Sequence, residues 1–527
     1  MIITGTEGWK PSGRDARPLT ILLAASEVVG FAKTGGLADV AGALPVALAR
    51  RGHRCAVIMP LYRGARAAKP APEPTDRILL VQMGHRFMHG RLWRSSLGDG
   101  LVPVWLVEQD AYFNRDDKAA KAGIYQYTDD DGSLLDYDDN CERFVFFNRA
   151  VLEALPQLGP WPDVLHVNDW QTGLIPVYLR EQYRQRTDPR LRIFYDRTRT
   201  LMTIHNIAFQ GTYPPWAMPL AGLDWKLFNH RQLEYWGQLS FLKAGVVFSD
   251  VVSTVSPTYA REIQTPYYGC GLQGVLYEHR ARLIGIVNGV DYASWDPRHD
   301  RHIATAYGPD DLTGKAACKA ALQRESKLAA EAATPLLGVV ARLTEQKGVD
   351  LIVAVAPRLL EQGCQLVILG EGSPAYHKQL RALRDRFPER MALTIGFNEP
   401  LAHRIEAGAD LFLMPSAFEP SGLNQLYSLR YGTPPVVRST GGLADTVTDT
   451  TDETLADGTA TGFRFAAYNA DALWEAVQRA LGLLRTRPEV WRQVMRNGMQ
   501  KDWSWDRSAA EYEVLFQRMV ARDRVGW

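Results

Sequence analysis

The sequence has few cysteines, and their arrangement suggests neither a disulfide framework nor a metal-bound one. Five cysteines occur in 527 residues, widely spaced and without any CxxC pair. A disulfide-stapled fold and a cysteine-based zinc site are therefore not expected. Because free thiols persist in reducing compartments, this usage favours a cytoplasmic location.

The sequence also lacks an excess of charge of either sign. Sixty basic residues stand against fifty-nine acidic ones, which leaves a net charge of +1. No broad electrostatic field would attract a nucleic acid or an anionic membrane surface. A neutral partner, or one whose charge is met locally, is expected.

Long apolar runs and metal-binding motifs are missing as well. No stretch of about 18 uninterrupted apolar residues occurs, and the start MIITGTEGWKPSGRDARP is not typical of an export signal. The chain contains no HExxH and no Cys/His cluster, so no metal and no other cofactor are expected. Nothing in the sequence indicates an oligomeric state.

Short β-branched runs, each followed by a polar or Gly-rich loop and a helical segment, are present throughout. This alternation predicts an α/β fold with two doubly wound parallel sheets. We expect a first domain at residues 1–283, a second at 284–504, and a helix at 505–527 that packs back on the first. The predicted strands are LTILLAAS, RCAVIMP, VPVWLVE, VLHVND, TLMTIHN and VVSTVS, then LIGIVNG, LLGVVA, QLVILG, MALTIG, LFLMPS and PPVVRS.

The hexapeptide TGGLAD occurs twice, at residues 34–39 and 440–445. Each copy lies between a predicted strand and a predicted helix, where glycines let backbone N–H groups approach an anion. Ligands of open parallel sheets bind at the carboxyl ends of the strands, so both copies are expected to border one cleft. A helix-entry turn repeated by two similar domains is the structural alternative.

Polar residues follow several other predicted strands. Arg342 and Lys347 follow LLGVVA and suit a diphosphate, although two loop cations can equally form a solvated surface. Glu419 precedes a helix, where a carboxylate is also favoured by the helix dipole. In the first half, Asp169 could be a helix cap and His205 a buried structural histidine. Their shared position at strand ends favours one site.

The ordered set of these motifs resembles bacterial glycogen synthases and plant starch synthases. The matching stretches include SEVVGFAKTGGLADVAGALP, VNDWQTGLIP, TIHNIAFQGTY, IVNGVD, ARLTEQKGVDL and MPSAFEPSGLNQLYSLRYGTPPVVRSTGGLADTV. The resemblance implies GT-B architecture, with two Rossmann-like domains around a deep cleft. It also implies glucose transfer, with retention, from ADP-glucose to the nonreducing end of an α-1,4-glucan.

The resemblance assigns roles to individual residues. It implies that Arg342 and Lys347 neutralise the leaving diphosphate, that Glu419 holds the glucose hydroxyls, and that Asp39 and His205 lie beside the reacting sugar. These five are the catalytic candidates. The substrate-binding candidates are Lys33, Gly35, Gly36, Tyr125, Asp169, Asn206, Asn288, Phe397, Ser421, Gly422, Leu423, Thr440, Gly441, Gly442 and Leu443.

The chain departs from the pattern at a few positions. Many sugar transferases of this architecture carry a second glutamate where this chain has Tyr427, which favours the glycogen synthase branch. Where the family usually has GYHE, this chain has Gly396, Phe397, Asn398 and Glu399. Phe397 can stack on a base but lacks a hydroxyl, which leaves the preference between ADP-glucose and UDP-glucose open. Ser421 replaces a frequent cysteine.

Other interpretations are possible for parts of the chain. Gly370, Gly372 and Ala375 match the GxGxxA of dinucleotide oxidoreductases, but the next strand ends without an acidic ribose partner. Asp129 and Asp131 form a DxD that we interpret as a solvated loop. A noncatalytic glucan-binding relative is a further alternative. The aromatic run from Tyr213 to Trp236 could stack on glucan rings or belong to a core.

Overall fold

The computed structural model describes residues 17–115, 124–128, 134–186 and 188–521. The chain divides into two compact units. The first comprises the residues up to Val255, Ala260–Gly289 and the C-terminal helix from Trp505. The second comprises Ser256–Tyr259 and Val290–Ser504.

The first unit is built on a nine-stranded sheet. Its strands from Leu283–Gly285 through Val102–Glu108 pair in parallel, and the last two pairs are antiparallel. In spatial order the strands are Leu283–Gly285, Val251–Thr254, Arg199–Ile204, Val164–Asn168, Thr20–Ala24, Arg54–Pro60, Val102–Glu108, Arg86–Leu97 and Glu73–Met83.

Two features of this sheet differ from the sequence-based expectation. The antiparallel hairpin of Glu73–Met83 and Arg86–Leu97 was not predicted, because exposed charges interrupt its apolar alternation. The strand predicted to open the second set, within LIGIVNG, belongs instead to the first sheet, since Leu283–Gly285 pairs with Val252–Thr254. The strand belongs to the first sheet because of this parallel pairing, which the local sequence does not encode.

Helices cover the sheet of the first unit. The longest has 19 residues and buries aromatic side chains such as Phe144 and Phe147. The helices are Gly36–Arg50, Asp110–Phe113, Asn140–Leu158, Ile175–Tyr178, Pro189–Arg197, Ala217–Ala221, Phe241–Phe248, Gln273–Glu278 and Trp505–Ala521, with a π-helical turn at Leu179–Tyr183. The helix Pro257–Glu262 has residues in both units. Two small sheets are formed by Thr212–Tyr213, Gln238–Ser240 and Glu234–Tyr235, and by Gln126–Thr128 and Leu134–Asp136.

The C-terminal helix Trp505–Ala521 packs on the first unit. Its buried Tyr512 and Phe516 lie against the ring of His166, with centroid separations of 5.7 and 6.0 Å. Arg51 donates to Asp506 and Glu513 at 3.0 and 2.8 Å. A buried aromatic stripe with charged contacts at its edge therefore fixes this helix.

The second unit is built on a six-stranded parallel sheet. Along its strand Gln365–Gly370, Leu366 and Ile368 join one apolar cluster while Val367 and Leu369 join another. Both faces are thus covered by helices, which explains the continuous apolar run QLVILG. In spatial order the strands are Met391–Ile395, Gln365–Gly370, Leu336–Val340, Leu411–Met414, Pro435–Arg438 and Phe463–Phe465.

The helices of the second unit alternate with these strands. They are Thr313–Glu325, Val349–Glu361, Pro374–Arg386, Glu399–Gly408, Asn424–Arg430, Gly441–Thr446, Asp452–Ala456, Ala470–Thr486 and Pro488–Gln500. No helix in the part of the chain that the structure describes is long and apolar enough to span a membrane.

Candidate active site

In the second unit, the loop after Leu336–Val340 is held tightly by a glycine. Gly348 adopts φ +70°, and a Cβ there would lie 2.1 Å from the carbonyl oxygen of Pro415. Only glycine permits this approach. It brings the short turn Glu345–Lys347 against the loop that follows the neighbouring strand Leu411–Met414.

An ion pair joins these two loops. Lys347 Nζ donates to Glu419 Oε2 at 2.5 Å, and Ser416 Oγ donates to the same oxygen at 3.1 Å. Glu419 is 5% exposed. A buried carboxylate needs such donors to stay charged, so the pair fixes both loops and holds a cation at the strand ends.

Arg342, the other predicted cation, lies outside this pair. Its guanidinium is exposed and donates to Gln346 Oε1 at 3.3 Å. The structure therefore places Arg342 and Lys347 on one loop, with Lys347 paired and Arg342 facing solvent. An exposed guanidinium keeps several donors available for an anionic ligand.

The second TGGLAD packs against the loop of Glu419. Gly442 N donates to Glu419 O at 3.0 Å, and a Cβ at Gly442 would lie 2.0 Å from Ser421 O. Gly441 adopts φ +43° with an equally close approach to Glu419 O. Loop packing alone therefore requires glycine at both positions. Thr440 and Leu443 are fully buried, so Leu443 can offer a ligand only its backbone.

The turn of Ser421, Gly422 and Leu423 leads into the helix Asn424–Arg430. Gly422 adopts φ +70°, and Ser421 is buried with its Oγ unpaired among the described residues. Ser421 O accepts from Gln425 Nε2 at 2.9 Å. The backbone of this turn is therefore fixed by its own helix.

Tyr427 occupies the position at which many transferases have a second glutamate. Its ring stacks on Trp295 at 3.9 Å, and Trp295 stacks in turn on His403 at 3.7 Å. A three-ring stack thus occupies this position. The sequence indicated the substitution but not its partner.

In the first unit, a residue that sequence reasoning missed organises the first TGGLAD. Glu27 is buried and accepts from Thr34 N, from Thr34 Oγ1 at 2.6 Å and from Gly35 N at 3.1 Å. Tyr125 donates to the same carboxylate at 2.7 Å. The amides of Thr34 and Gly35 are thus bonded to a carboxylate of the protein. A Glu shortly after a strand and before TGG was the available signal.

Lys33 and Asp39 flank this loop and pair with each other. Lys33 Nζ donates to Asp39 Oδ1 at 2.6 Å, and the lysine side chain is half exposed. An added Cβ at Gly35 or Gly36 would meet no heavy atom within 4 Å. Open space therefore borders the first turn of the helix Gly36–Arg50.

Asp169 and the HN dipeptide come together at the ends of adjacent strands. Asp169 Oδ1 accepts from His205 N at 2.7 Å and from Asn206 N at 3.5 Å. Asp169 also adopts φ +53°, which is uncommon for a non-glycine residue. Burial raises the pKa of Asp169 to about 7, although both hydrogen bonds oppose this shift.

His205 is held as a neutral ring. Burial lowers the pKa of His205 to about 3. Its Nε2 lies 2.9 Å from Asn168 Oδ1, and because Asn168 Nδ2 donates to Ala24 O and His166 O, the proton is assigned to His205 Nε2. The ring can therefore act as a hydrogen-bonding group and not as a cation near neutral pH.

Two further predicted donor-binding residues follow the parallel strands Leu283–Gly285 and Met391–Ile395. Asn288 is buried, and its Oδ1 accepts no hydrogen bond within the described residues. Phe397 is 82% exposed on a loop of the second unit. Asn398, which replaces the family's usual histidine, caps the helix Glu399–Gly408 by accepting from Leu401 N at 3.0 Å. Helix capping explains why asparagine is tolerated there.

The two hexapeptides use their aspartates differently. Asp39 pairs with Lys33, whereas Asp445 accepts from Ser256 Oγ at 2.6 Å, Thr258 Oγ1 at 2.6 Å and Thr258 N at 2.9 Å. Identical sequence therefore does not imply identical contacts. The VSPT segment was not among the predicted site residues.

The structure also bears on the competing interpretations. A Cβ at Gly370 would lie 2.0 Å from Ala341 O, and one at Gly372 would lie 2.3 Å from Leu343 O. Packing against a neighbouring loop accounts for these glycines without a dinucleotide. Within the described residues, no cluster of three or more His, Cys, Asp or Glu could hold a metal. Asp129 and Asp131 lie outside those residues.

Comparison with known proteins identifies the family. A profile described as "Starch synthase catalytic domain" matches residues 20–278, and one described as "Glycosyl transferases group 1" matches residues 323–491. A glycogen synthase of Syntrophotalea carbinolica is 48% identical over 95% of this chain and 99% of its own length. The chain belongs to the glycogen synthase family of glycosyltransferases.

Further relatives agree with this membership. Glycogen synthase 2 of Geobacter sulfurreducens is 47% identical over 96% of this chain and all of its own length. The catalytic domain of starch synthase IV from Arabidopsis thaliana, solved with ADP and acarbose, matches with a TM-score of 0.84 and 32% identity, over 96% of this chain and 100% of its own. The predicted GT-B fold class, the family and the glycogen synthase activity are confirmed.

Proposed function

We propose that this glycogen synthase transfers glucose from ADP-glucose to the nonreducing end of an α-1,4-glucan, with retention of configuration. The observation that carries this proposal is the contact of Lys347 with the buried Glu419, which holds a cation and a carboxylate together at the strand ends of the second unit. The solved starch synthase relative was bound to ADP and to acarbose, which supports a nucleotide and a glucan as ligands.

The second unit is proposed to stabilise the leaving group. Breaking the bond between glucose and diphosphate increases negative charge on the diphosphate, and preorganised cations then contribute most. Lys347 is already oriented by Glu419, and the exposed Arg342 guanidinium can fork two phosphate oxygens. Glu419, with its second oxygen, is proposed to accept from a glucose hydroxyl.

The first unit is proposed to supply hydrogen bonds to the sugar and the donor. Because His205 is neutral, it fits a contact with a sugar hydroxyl better than one with a phosphate. Lys33, Asp39, Gly35 and Gly36 are proposed to contact the donor, as the family resemblance implies. Their proximity in one loop supports this assignment.

Retention is proposed to follow a same-face substitution, in which the departing phosphate takes the proton of the acceptor hydroxyl. A double displacement would need two carboxylates roughly 5 Å apart across the sugar ring. Among the candidate residues of the second unit, Glu419 is the one carboxylate, and its side chain accepts from Lys347 and Ser416. Isolation of a covalent glucosyl-enzyme adduct would contradict the same-face substitution.

Initial rates with a glycogen primer test the proposal. We expect a higher kcat/KM with ADP-glucose than with UDP-glucose, and a product whose new linkages are cleaved by an α-1,4-specific glucosidase. A Glu419→Gln variant serves as the inactive reference. A protein that binds glycogen but neither transfers glucose nor hydrolyses either donor would instead be the noncatalytic relative. Cytoplasmic location and metal independence stay predictions.

A further inference from the structure

A tryptophan occupies an unusual position in a hairpin of the first unit. Glu234–Tyr235 pairs with Gln238–Leu239, so Trp236 and Gly237 form a two-residue loop. Both have positive φ, +50° and +77°. Such loops favour Asn-Gly or Gly-Gly, and a bulky residue with positive φ is an outlier. Folding alone therefore does not explain a tryptophan here.

The same residue is strongly exposed. Trp236 is 84% exposed, and Trp225 and Trp216 are 55% and 53% exposed. The aromatic run of the sequence thus divides into two groups. Tyr213 packs on Phe241 with centroids 5.0 Å apart, and Tyr235 donates to Cys270 O at 2.8 Å, so these two are structural. The three tryptophans present apolar surface to solvent, and Trp236 is the most exposed of them.

Hydrogen bonds to a buried lysine and within the turn hold the hairpin that carries Trp236. The buried Lys243 donates through Nζ to His230 O at 2.5 Å and to Glu234 O at 2.6 Å. Gly237 N donates to Glu234 Oε1 at 2.6 Å. The Glu234 carboxylate is therefore hydrogen-bonded within the hairpin turn itself. An exposed ring on a fixed turn loses little conformational freedom when a ligand binds.

The hairpin is also joined to the loop that carries His205 and Asn206. Gln210, at the end of that loop, donates through Nε2 to Cys270 O at 2.8 Å, the oxygen that also accepts from Tyr235. The next strand, Thr212–Tyr213, pairs with Leu239–Ser240 of the hairpin. The position of Trp236 is thus set by the same backbone that sets the reacting-sugar loop.

We propose that Trp236 is an acceptor-binding residue, on which a glucose ring of the α-1,4-glucan stacks away from the reacting end. This inference rests on the proposed function for the identity of the ligand. A pyranose ring offers an apolar C–H face, and an indole offers a flat apolar surface with a polar N–H edge. The glucan is neutral, and the Glu234 carboxylate of the hairpin already accepts from Gly237 N. A long acceptor extends beyond the reacting sugar and can reach a second contact on the same unit.

Substitution by asparagine tests this proposal without unfolding the turn. Asn-Gly is the preferred pair for such a loop, so Trp236→Asn removes the ring and relieves the backbone. We expect an unchanged or higher melting temperature, with a KM for glycogen raised roughly three- to tenfold, the range for one aromatic contact. The KM for ADP-glucose should not follow this change, and maltotriose should be affected less than glycogen. Trp236→Phe, which keeps a ring, should restore most of the glycogen affinity.

Affinity electrophoresis in gels that contain glycogen, without any donor, separates this inference from the proposed function. Wild type should be retarded more than Trp236→Asn, whether or not glucose transfer occurs. If Trp236→Asn matches wild type in both retardation and glycogen KM, Trp236 binds no glucan. That result would favour a protein partner at this surface and overturn the proposal. Failure of transfer with normal retardation would instead count against the proposed function alone.

Discussion

Lys347 Nζ lies 2.5 Å from Glu419 Oε2 and connects the loops that follow two neighbouring strands of the second unit. A second lysine–carboxylate pair in this unit, Lys319 with Asp410, has a similar separation of 2.6 Å and similar burial. Only the first pair belongs to the candidate site. The two pairs therefore allow a structural contribution to be separated from a catalytic one.

Removal of the Lys347 ammonium should reduce turnover strongly. For Lys347→Met we expect kcat to fall by roughly 10² to 10³, the scale for loss of one preorganised oxyanion partner, with a smaller change in donor KM. The reason is that the diphosphate gains charge only as the glucosyl group departs. Steady-state kinetics with ADP-glucose and glycogen provide the measurement.

Lys319→Met is the matched control. Each substitution removes the ammonium partner of a carboxylate that keeps one other donor, Ser416 Oγ for Glu419 and Leu336 N for Asp410. Each should therefore lower the free energy of unfolding by a similar amount, about 3 kcal/mol. Lys319→Met should nevertheless keep its turnover where it remains folded. The double variant Lys347→Met/Glu419→Gln should recover stability without recovering activity. Equal kinetic losses at Lys319 and Lys347 would show that the effect is structural.

Metal removal should leave turnover intact. If cationic side chains stabilise the leaving diphosphate, no divalent ion is needed for the step. We expect that exhaustive dialysis against EDTA changes the initial rate by less than about twofold, a difference well below 1.4 kcal/mol. Loss of activity that Mg²⁺ or Mn²⁺ restores would contradict this assignment, whereas restoration by neither would indicate damage to the protein.

Asp169 should make the stability of the protein depend on pH. Burial raises the pKa of Asp169 to about 7 in the folded state, against about 4 in an unfolded chain. Between these values the folded state binds more protons, so the free energy of unfolding falls as pH rises from about 4 to 7. Asp169→Asn can still accept from His205 N and removes this titration. As pH rises from about 4 to 7, we expect the free energy of unfolding of the variant to increase relative to that of wild type. Above about pH 7 the difference between the two proteins should stay constant.

Wild type must be compared with Asp169→Asn because His205 changes the free energy of unfolding with pH in the opposite direction. Burial lowers the pKa of His205 to about 3, so its contribution to stability rises between about pH 3 and 6.5. Denaturant unfolding at several pH values, with wild type and Asp169→Asn in parallel, cancels the histidine term. A difference between the two proteins that does not change with pH would show that Asp169 is ionised throughout.

The sequence predicted the parallel strands and the strand-end residues well, for a physical reason. Buried parallel strands read as apolar runs such as QLVILG, and polar residues that follow them collect at one edge of the sheet. The pairing of Lys347 with Glu419 was not predicted, because it depends on the close approach of Gly348 to Pro415. Contacts between loops are set by tertiary packing, which local patterns do not encode.

Other features were out of reach for the same reason. The position of Glu27 between a strand and TGG was a signal in the sequence, but its contacts appear only when Thr34 and Gly35 fold back onto it. The contacts of Asp445 with Ser256 and Thr258 join segments almost 190 residues apart in the chain. The exposure of Trp236 also follows from hairpin pairing, since an aromatic residue in sequence can equally be core.

Glycines of the two hexapeptides should respond differently to alanine. At Gly442 a Cβ would lie 2.0 Å from Ser421 O, so Gly442→Ala should destabilise the second unit whatever the ligand. At Gly36 a Cβ meets nothing within 4 Å, and alanine is favoured over glycine at a helical position by roughly 0.5–1 kcal/mol. Gly36→Ala should therefore melt at the same temperature as wild type or higher.

If the donor approaches the backbone of Gly36 closely, the same substitution should impair donor binding. We expect the KM for ADP-glucose to rise roughly tenfold, equivalent to about 1.4 kcal/mol. Gly274→Ala, at an exposed position of the helix Gln273–Glu278 with equally open space, is the control and should change neither KM. In Gly36→Ala, a higher stability together with a weaker donor affinity would indicate a clash with the donor. No atom of the described residues lies close enough to oppose the new methyl group. An unchanged donor KM in a stabilised Gly36→Ala variant would show that the first TGGLAD serves helix entry alone.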